Sequence, residues 1–67
     1  MITPGTYRHY KGGLYEVRMI GKHTETGELL VIYEDSRGNT WVRPKEMFEE
    51  TIEFNGEQVS RFTRFTY

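Results

Sequence analysis

The chain has 67 residues, a formal net charge of −1 and no cysteine, while ten of its residues are Phe, Tyr or Trp. This length allows one domain, residues 1–67, and the lack of cysteine excludes a disulfide framework or a thiolate zinc site. The near-neutral charge gives no general attraction to nucleic acid or to an acidic membrane. Because each aromatic side chain can bury ~150–250 Å², aromatic residues are the expected source of the core.

No apolar run approaches the length of a membrane span, and the first residues lack the apolar stretch of a signal peptide. Together with the absence of cysteine, this pattern indicates a cytoplasmic location. No membrane partner is therefore expected.

The first part of the chain predicts a β-hairpin. Strands over 6–11 and 14–23 flank Gly12-Gly13, a pair that suits a two-residue turn because glycine accepts positive φ. This turn places Tyr10 opposite Tyr15. The more apolar face of the second strand, which is expected to point inward, consists of Tyr15, Val17 and Met19.

The densest apolar run, 29–33, predicts the central strand. The preceding turn is expected over 24–28, with Gly27 at the unusual dihedral angle. A polar tip over 34–39 leads into a returning strand over 40–43, which contains the single tryptophan.

Pro44 fits the first position of a short helical turn over 44–48, because its missing N–H would be unpaired there in any case. A helix of this length is not stable alone. Met47 and Phe48 are therefore expected to close one end of a barrel.

The last hairpin has the clearest local signal, because Asn55-Gly56 is the preferred pair of a type I′ turn. This turn places Ile52 opposite Val59. The aromatic tail, 61–67, is expected to be docked. Five to six short antiparallel strands with one helical turn near 44–48 predict an all-β protein, a small SH3-like partly open β-barrel, with an OB-type barrel as the alternative.

Charge is distributed unevenly along the chain. Residues 1–24 carry four basic and one acidic side chain (+3), 25–57 carry three basic and nine acidic (−6), and 58–67 carry two basic (+2). If the two terminal strands are neighbours, a basic face is expected.

The chain resembles a family of small bacterial proteins that is known only as a domain of unknown function. The resemblance is carried by Gly5-x-Tyr7-Arg8-His9-Tyr10-Lys11-Gly12, Tyr15-x-Val17, His23-x-Glu25-Thr26-x-Glu28, Val31-x-Tyr33, Trp41-Val42-Arg43-Pro44-x-x-Met47-Phe48-x-Glu50 and Arg61-Phe62. It implies an SH3-like barrel and no assigned activity. The tip between Tyr33 and Trp41 is shorter and more polar than in that family, and Ser60 stands where a proline is usual.

The residues allow three classes of function. A metal-dependent enzyme would use His9, His23 and Glu25, but the spacing is a weak signal and no nucleophile has an obvious base. Binding of RNA or single-stranded DNA would combine aromatic stacking with the basic termini. Binding of protein would use an aromatic groove around Trp41.

The alternative for Trp41 is that the largest apolar residue simply anchors the core. For Arg43, a structural ion pair with Glu25, Glu28 or Glu50 is favoured over ligand contact if the side chain is buried.

The sequence thus favours a non-enzymatic binding module for protein or peptide, with nucleic acid as the alternative partner. No cofactor and no metal are expected, and the protein is expected to be a monomer or a weak homo-oligomer. The predicted site is formed by His9, Tyr10, Trp41 and Arg43, with a basic edge of Arg8, Lys11 and Arg61.

Overall fold

A computed structural model describes residues 2–66 as seven strands and one short helix. The elements are β1 (Gly5–His9), β2 (Leu14–Lys22), β3 (Leu29–Glu34), β4 (Thr40–Pro44), α1 (Lys45–Phe48), β5 (Thr51–Phe54), β6 (Glu57–Ser60) and β7 (Phe62–Arg64). Five strands form an antiparallel sheet in the order β4-β3-β2-β1-β7, and β5 and β6 form a separate ribbon. The all-β, partly open architecture is confirmed, with seven strands where five to six were predicted. No helix within residues 2–66 has the length and apolarity that crossing a bilayer requires.

The predicted register of the first hairpin is wrong by three residues. Tyr7, not Tyr10, lies opposite Tyr15, and β1 ends at His9. The His9 N–H donates to the Gly13 carbonyl (3.1 Å), and the Gly12 N–H donates to the His9 carbonyl (2.8 Å). These bonds close a loop longer than two residues, so the glycines do not form the turn by themselves. As a result, His9 lies where the strand enters the loop.

The inward face of β2 is partly different from the prediction. Val17 is fully buried, but Met19 is 55% exposed. The pairing with β3 shifts between Val17 and Met19, as in a β-bulge, and a bulge moves the following residues to the opposite face. Ile20 therefore packs against the core in place of Met19.

The core is built from aromatic rings of different elements. The rings of Phe48 and Phe62 are stacked with centroids 4.1 Å apart, and the rings of Tyr7 and Tyr33 meet Phe48 edge-on at 5.5 Å. Val17 and Val31 complete the buried group. Aromatic bulk thus replaces crosslinks in this short chain.

The short helix contributes only one of its two predicted core residues. Phe48 is buried, whereas Met47 is 47% exposed. Successive residues of a helix point about 100° apart, so a single turn cannot direct both side chains to the core. Pro44 ends β4 and precedes the first helical residue, Lys45, one position away from the prediction.

The chain termini are neighbours, as predicted. β7 pairs with β1, placing Phe62 opposite His9, and the Phe65 N–H donates to the Thr6 carbonyl. The tail is therefore docked, while Tyr67 lies outside the described residues.

Two predicted turns are confirmed. In the last hairpin, Asn55 and Gly56 have φ of 53° and 80°, and Ile52 lies opposite Val59. Gly27 has φ of 76° in the turn before β3. Positive φ at these positions is what their residue types allow.

Candidate functional site

A cleft of about 250 Å³ opens beside the aromatic core. Seven side chains line it: His9, Tyr15, Tyr33, Asp35, Trp41, Arg43 and Phe62. Trp41 and Arg43 are two residues apart on β4, and side chains at this spacing share one face of a strand. Their partners on β3 are Tyr33 and Val31, both of which point into the core. The cleft is therefore the open continuation of the buried face.

The polar tip between β3 and β4 closes around the carboxylate of Asp35. One carboxylate oxygen accepts the N–H groups of Arg37 (2.9 Å) and Asn39 (3.0 Å). The other accepts the Asn39 side-chain amide (3.1 Å) and the Trp41 indole N–H (2.9 Å). The bond from Trp41, followed by those from Asn39 and Arg37, lowers the pKa of Asp35 to about 2. Asp35 is therefore ionised at neutral pH and fixes the tip.

Trp41 lies at the rim of the cleft and is 49% exposed. The interpretation of Trp41 as a core anchor is therefore wrong. Its N–H donates to Asp35, and this bond holds the polar edge of the indole at the tip. A half-exposed ring in a fixed orientation leaves apolar surface accessible at the rim.

Arg43 is partly buried in the cleft wall. Its Nε donates to the Tyr33 hydroxyl at a long 3.4 Å. The expected ion pair with Glu25, Glu28 or Glu50 is not formed, and Glu50 instead binds Arg61. Within residues 2–66 the guanidinium of Arg43 has no carboxylate partner.

His9 forms the wall opposite β4. Its Nδ1 accepts the Lys11 N–H (3.2 Å), and its ring meets the rings of Tyr10 (4.6 Å) and Phe62 (5.0 Å). Burial lowers the pKa of His9, and the charges of Arg61, Arg43 and Lys11 lower it further. The three cations that contribute to this shift therefore lie near the imidazole of His9.

A family described as "Protein of unknown function (DUF1653)" matches residues 5–64. The chain belongs to this family. The crystal structure of a DUF1653 protein from Bordetella bronchiseptica is similar to it with a TM-score of 0.86 and 28% sequence identity, covering 96% of this chain and 87% of that chain. No curated protein matches the chain. The resemblance found in the sequence is confirmed, and the function has to be argued from the site.

The structure brings together three of the seven predicted site residues, His9, Trp41 and Arg43. Tyr10 packs behind His9 against Phe54 (5.3 Å), and the Lys11 ammonium lies 5.7 Å from the Tyr10 ring. The other two basic residues do not line the cleft: Arg61 binds Glu50, and Arg8 is exposed and alternates with Tyr7 and His9 on β1.

Four lining residues are not among the seven predicted site residues: Tyr15, Tyr33, Asp35 and Phe62. For Asp35 a signal was present, because an Asp followed by Ser-Arg-Gly-Asn is typical of a turn in which the carboxylate binds nearby backbone N–H groups. The sequence pattern places Tyr15 on the inward face of the second strand and Phe62 in the tail, and only the observed register brings both beside the cleft.

The structure does not support the metal-site alternative of His9, His23 and Glu25. His9 ends β1 beside the start of β2, and His23 follows the last residue of β2, so the length of β2, roughly 25 Å at ~3.3 Å per residue, separates them. The His23 Nδ1 accepts the N–H groups of Glu25 and Thr26, so this ring orders its own turn. Within residues 2–66, no three His, Asp or Glu side chains are placed to hold a metal ion.

The adjacent terminal strands do not produce a continuous free basic face. Arg64 donates to the Thr3 hydroxyl (2.6 Å) and to the Pro4 carbonyl (3.2 Å). Arg18 pairs with Glu34 at 2.9 Å, and Arg61 pairs with Glu50. Much of the basic charge at the two ends is therefore already engaged within the chain.

Proposed function

We propose that the protein is a non-enzymatic binding module that holds a side chain of a protein partner in the cleft. The observation that carries the proposal is Trp41, half exposed at the rim and oriented by Asp35. Aromatic anchors of this kind dominate the energetics of protein interfaces. Because the indole is already fixed, little conformational entropy is lost when a partner covers it.

The size and composition of the cleft support a role in binding. Small-molecule sites usually measure about 300–1,000 Å³, so a cleft of about 250 Å³ suits a single anchoring side chain better than a larger substrate. The seven lining residues include no serine, threonine or cysteine. The absence of cysteine from the chain supports a partner in a reducing compartment such as the cytoplasm.

Binding of RNA or single-stranded DNA is the second candidate. The neighbouring β1 and β7, together with the exposed Trp41, favour it, because stacking on aromatic rings beside basic groups holds single strands. The internal ion pairs of Arg18 and Arg61 weigh against it, because non-specific affinity depends on clustered free charge.

The test is selection from a displayed peptide library with the wild type, Trp41→Ala and Val42→Ala. Val42 is the matched control, because it is 58% exposed and lies on the opposite face of the same strand. We expect the wild type and Val42→Ala to enrich the same peptides, and Trp41→Ala to lose at least about tenfold in affinity for them, a typical loss for an aromatic anchor. Thermal unfolding of all three proteins verifies that they are folded.

Enrichment that is equal for Trp41→Ala and the wild type would contradict the proposal, as would a complete lack of enrichment. A parallel fluorescence-anisotropy titration with single-stranded DNA and RNA tests the second candidate. Nucleic-acid binding that depends on Trp41 and weakens steeply with salt would identify nucleic acid, and not protein, as the partner of the cleft.

A further inference from the structure

We infer that the cleft recognises the free carboxyl terminus of a partner protein that ends in an aromatic or large apolar residue, and that Arg43 binds this carboxylate. The inference rests on the proposed function, since it names the group that the binding module would hold. It is carried by an arginine in the wall of an aromatic cleft that has no carboxylate partner among residues 2–66.

The guanidinium of Arg43 is the group in the cleft whose charge is not compensated. It is partly buried, and within the part of the chain that the structure describes its Nε alone donates a hydrogen bond, to the Tyr33 hydroxyl. Removing a charge from water without a partner is costly, so such a group favours an anion that restores its hydrogen bonds. The terminal nitrogens of a guanidinium match the two oxygens of a carboxylate.

The other charged residue of the cleft, Asp35, does not neutralise Arg43. Its two oxygens already accept four hydrogen bonds from Arg37, Asn39 and Trp41, and it forms no ion pair within residues 2–66. Its role is to fix the tip and the indole. Among the described residues, no carboxylate therefore neutralises the guanidinium of Arg43 in the cleft.

His9 makes the same side of the cleft favourable for an anion. Its Nδ1 accepts the Lys11 N–H, so in the neutral ring the hydrogen is on Nε2, where it can be donated. Lys11, Arg43 and Arg61 all act on this imidazole. A bound carboxylate would be attracted by the same charges.

The small volume of the cleft favours a carboxyl terminus over an internal Asp or Glu. A cleft of about 250 Å³ offers space for one residue, and it contains both Arg43 and the rings of Trp41, Tyr15 and Phe62. In a terminal residue the carboxylate and the side chain start from the same Cα, so a single residue supplies the anion and the apolar group. An internal acidic residue supplies only the anion.

The experiment is a titration followed by ¹H–¹⁵N NMR, with N-acetyl-phenylalanine and its carboxamide as probes. We expect the acid to shift the Trp41 indole signal and to bind at least about tenfold more tightly than the amide, because a charge-assisted bond is lost in the amide. Arg43→Gln should abolish this preference, and Arg43→Lys should retain part of it. Arg37→Gln is the matched control, because it removes the same charge from the exposed tip outside the cleft.

The outcomes separate the two proposals. Equal binding of acid and amide, dependent on Trp41, would overturn the carboxylate inference and leave the peptide-binding proposal intact. No shift of the cleft signals with either probe at millimolar concentration would also overturn the inference, whatever the library selection shows. N-acetyl-aspartate amide and phenyl phosphate are added as comparisons. Tighter binding of either than of N-acetyl-phenylalanine would contradict recognition of a carboxyl terminus.

Discussion

Two groups of aromatic side chains in this protein differ in what holds them in place. The core group, Tyr7, Tyr33, Phe48 and Phe62, is buried and held by ring packing between α1, β1, β3 and β7. Trp41 is larger than any of these residues, yet it is half exposed and held by one hydrogen bond to Asp35. The difference teaches that size alone does not decide which aromatic side chain is buried: other rings fill the core, and Asp35 fixes the indole at the rim.

The comparison also separates the residues expected to affect stability from those expected to affect the proposed binding. A core ring contributes apolar burial that the fold requires, whereas an oriented ring at the rim leaves apolar surface for a partner. Substitutions in the core group should therefore change the free energy of unfolding. Substitutions around Trp41 should change binding first.

The largest effect is expected for Phe48→Ala. Phe48 is fully buried and stacked on Phe62, so its removal should lower the free energy of unfolding by about 3–5 kcal/mol. The neighbouring Met47→Ala is the control and should change it by less than about 0.5 kcal/mol, because Met47 is exposed. Urea denaturation followed by tyrosine and tryptophan fluorescence measures both. Similar losses for the two variants would contradict the description of the core.

A smaller loss of stability is expected for Asp35→Asn, and this loss should depend on pH. Hydrogen bonds lower the pKa of Asp35 from 3.8 to about 2 in the folded protein. The carboxylate therefore stabilises the fold above about pH 4, and this contribution is lost as the pH falls through 2. Asp35→Asn should lower the melting temperature at pH 7 and flatten its decline between pH 4 and 2.

The control for this measurement is Glu57→Gln, which removes an exposed carboxylate from the β5–β6 hairpin. Its melting curve should follow the wild type at every pH. If Asp35→Asn and Glu57→Gln have the same pH profile, the four hydrogen bonds to Asp35 do not stabilise the tip.

Short sequence motifs predicted the features that residues close together in the chain determine. Asn55-Gly56 fixed the last hairpin, and Pro44 came within one residue of the start of the helix. The register of β1 on β2 was wrong because bonds between His9 and Gly13 close the loop, and these bonds leave no mark in the residue pattern.

The candidate site was predictable only in part, for the same reason. His9, Trp41 and Arg43 were identified from residue type, but the sequence does not show which rings fill the core. Phe48 and Phe62 take the central space, so Trp41 remains at the rim. That outcome depends on contacts between residues distant in the chain, which periodicity does not describe.

The smallest and most specific expected effect is a change in the pKa of His9, which reports the charge of Arg43 in the cleft. Burial lowers the pKa of His9 most, and Arg61, Arg43 and Lys11 add to this because they repel a protonated imidazole. Arg43→Gln removes one of these charges and should raise the pKa of His9 toward its ordinary value. Glu50 partly neutralises Arg61, whereas Arg43 has no ion pair with any carboxylate of residues 2–66.

Titration of the imidazole signals by NMR measures this shift, with Arg37→Gln as the control that should leave the pKa unchanged. Saturation of the wild type with N-acetyl-phenylalanine should also raise the pKa of His9, because a carboxylate beside Arg43 favours the protonated ring. In Arg43→Gln the same probe should have a smaller effect. If neither the substitution nor the probe changes the pKa of His9, the charge of Arg43 does not affect the cleft. The rim around Trp41 would then differ from the core only in solvent exposure.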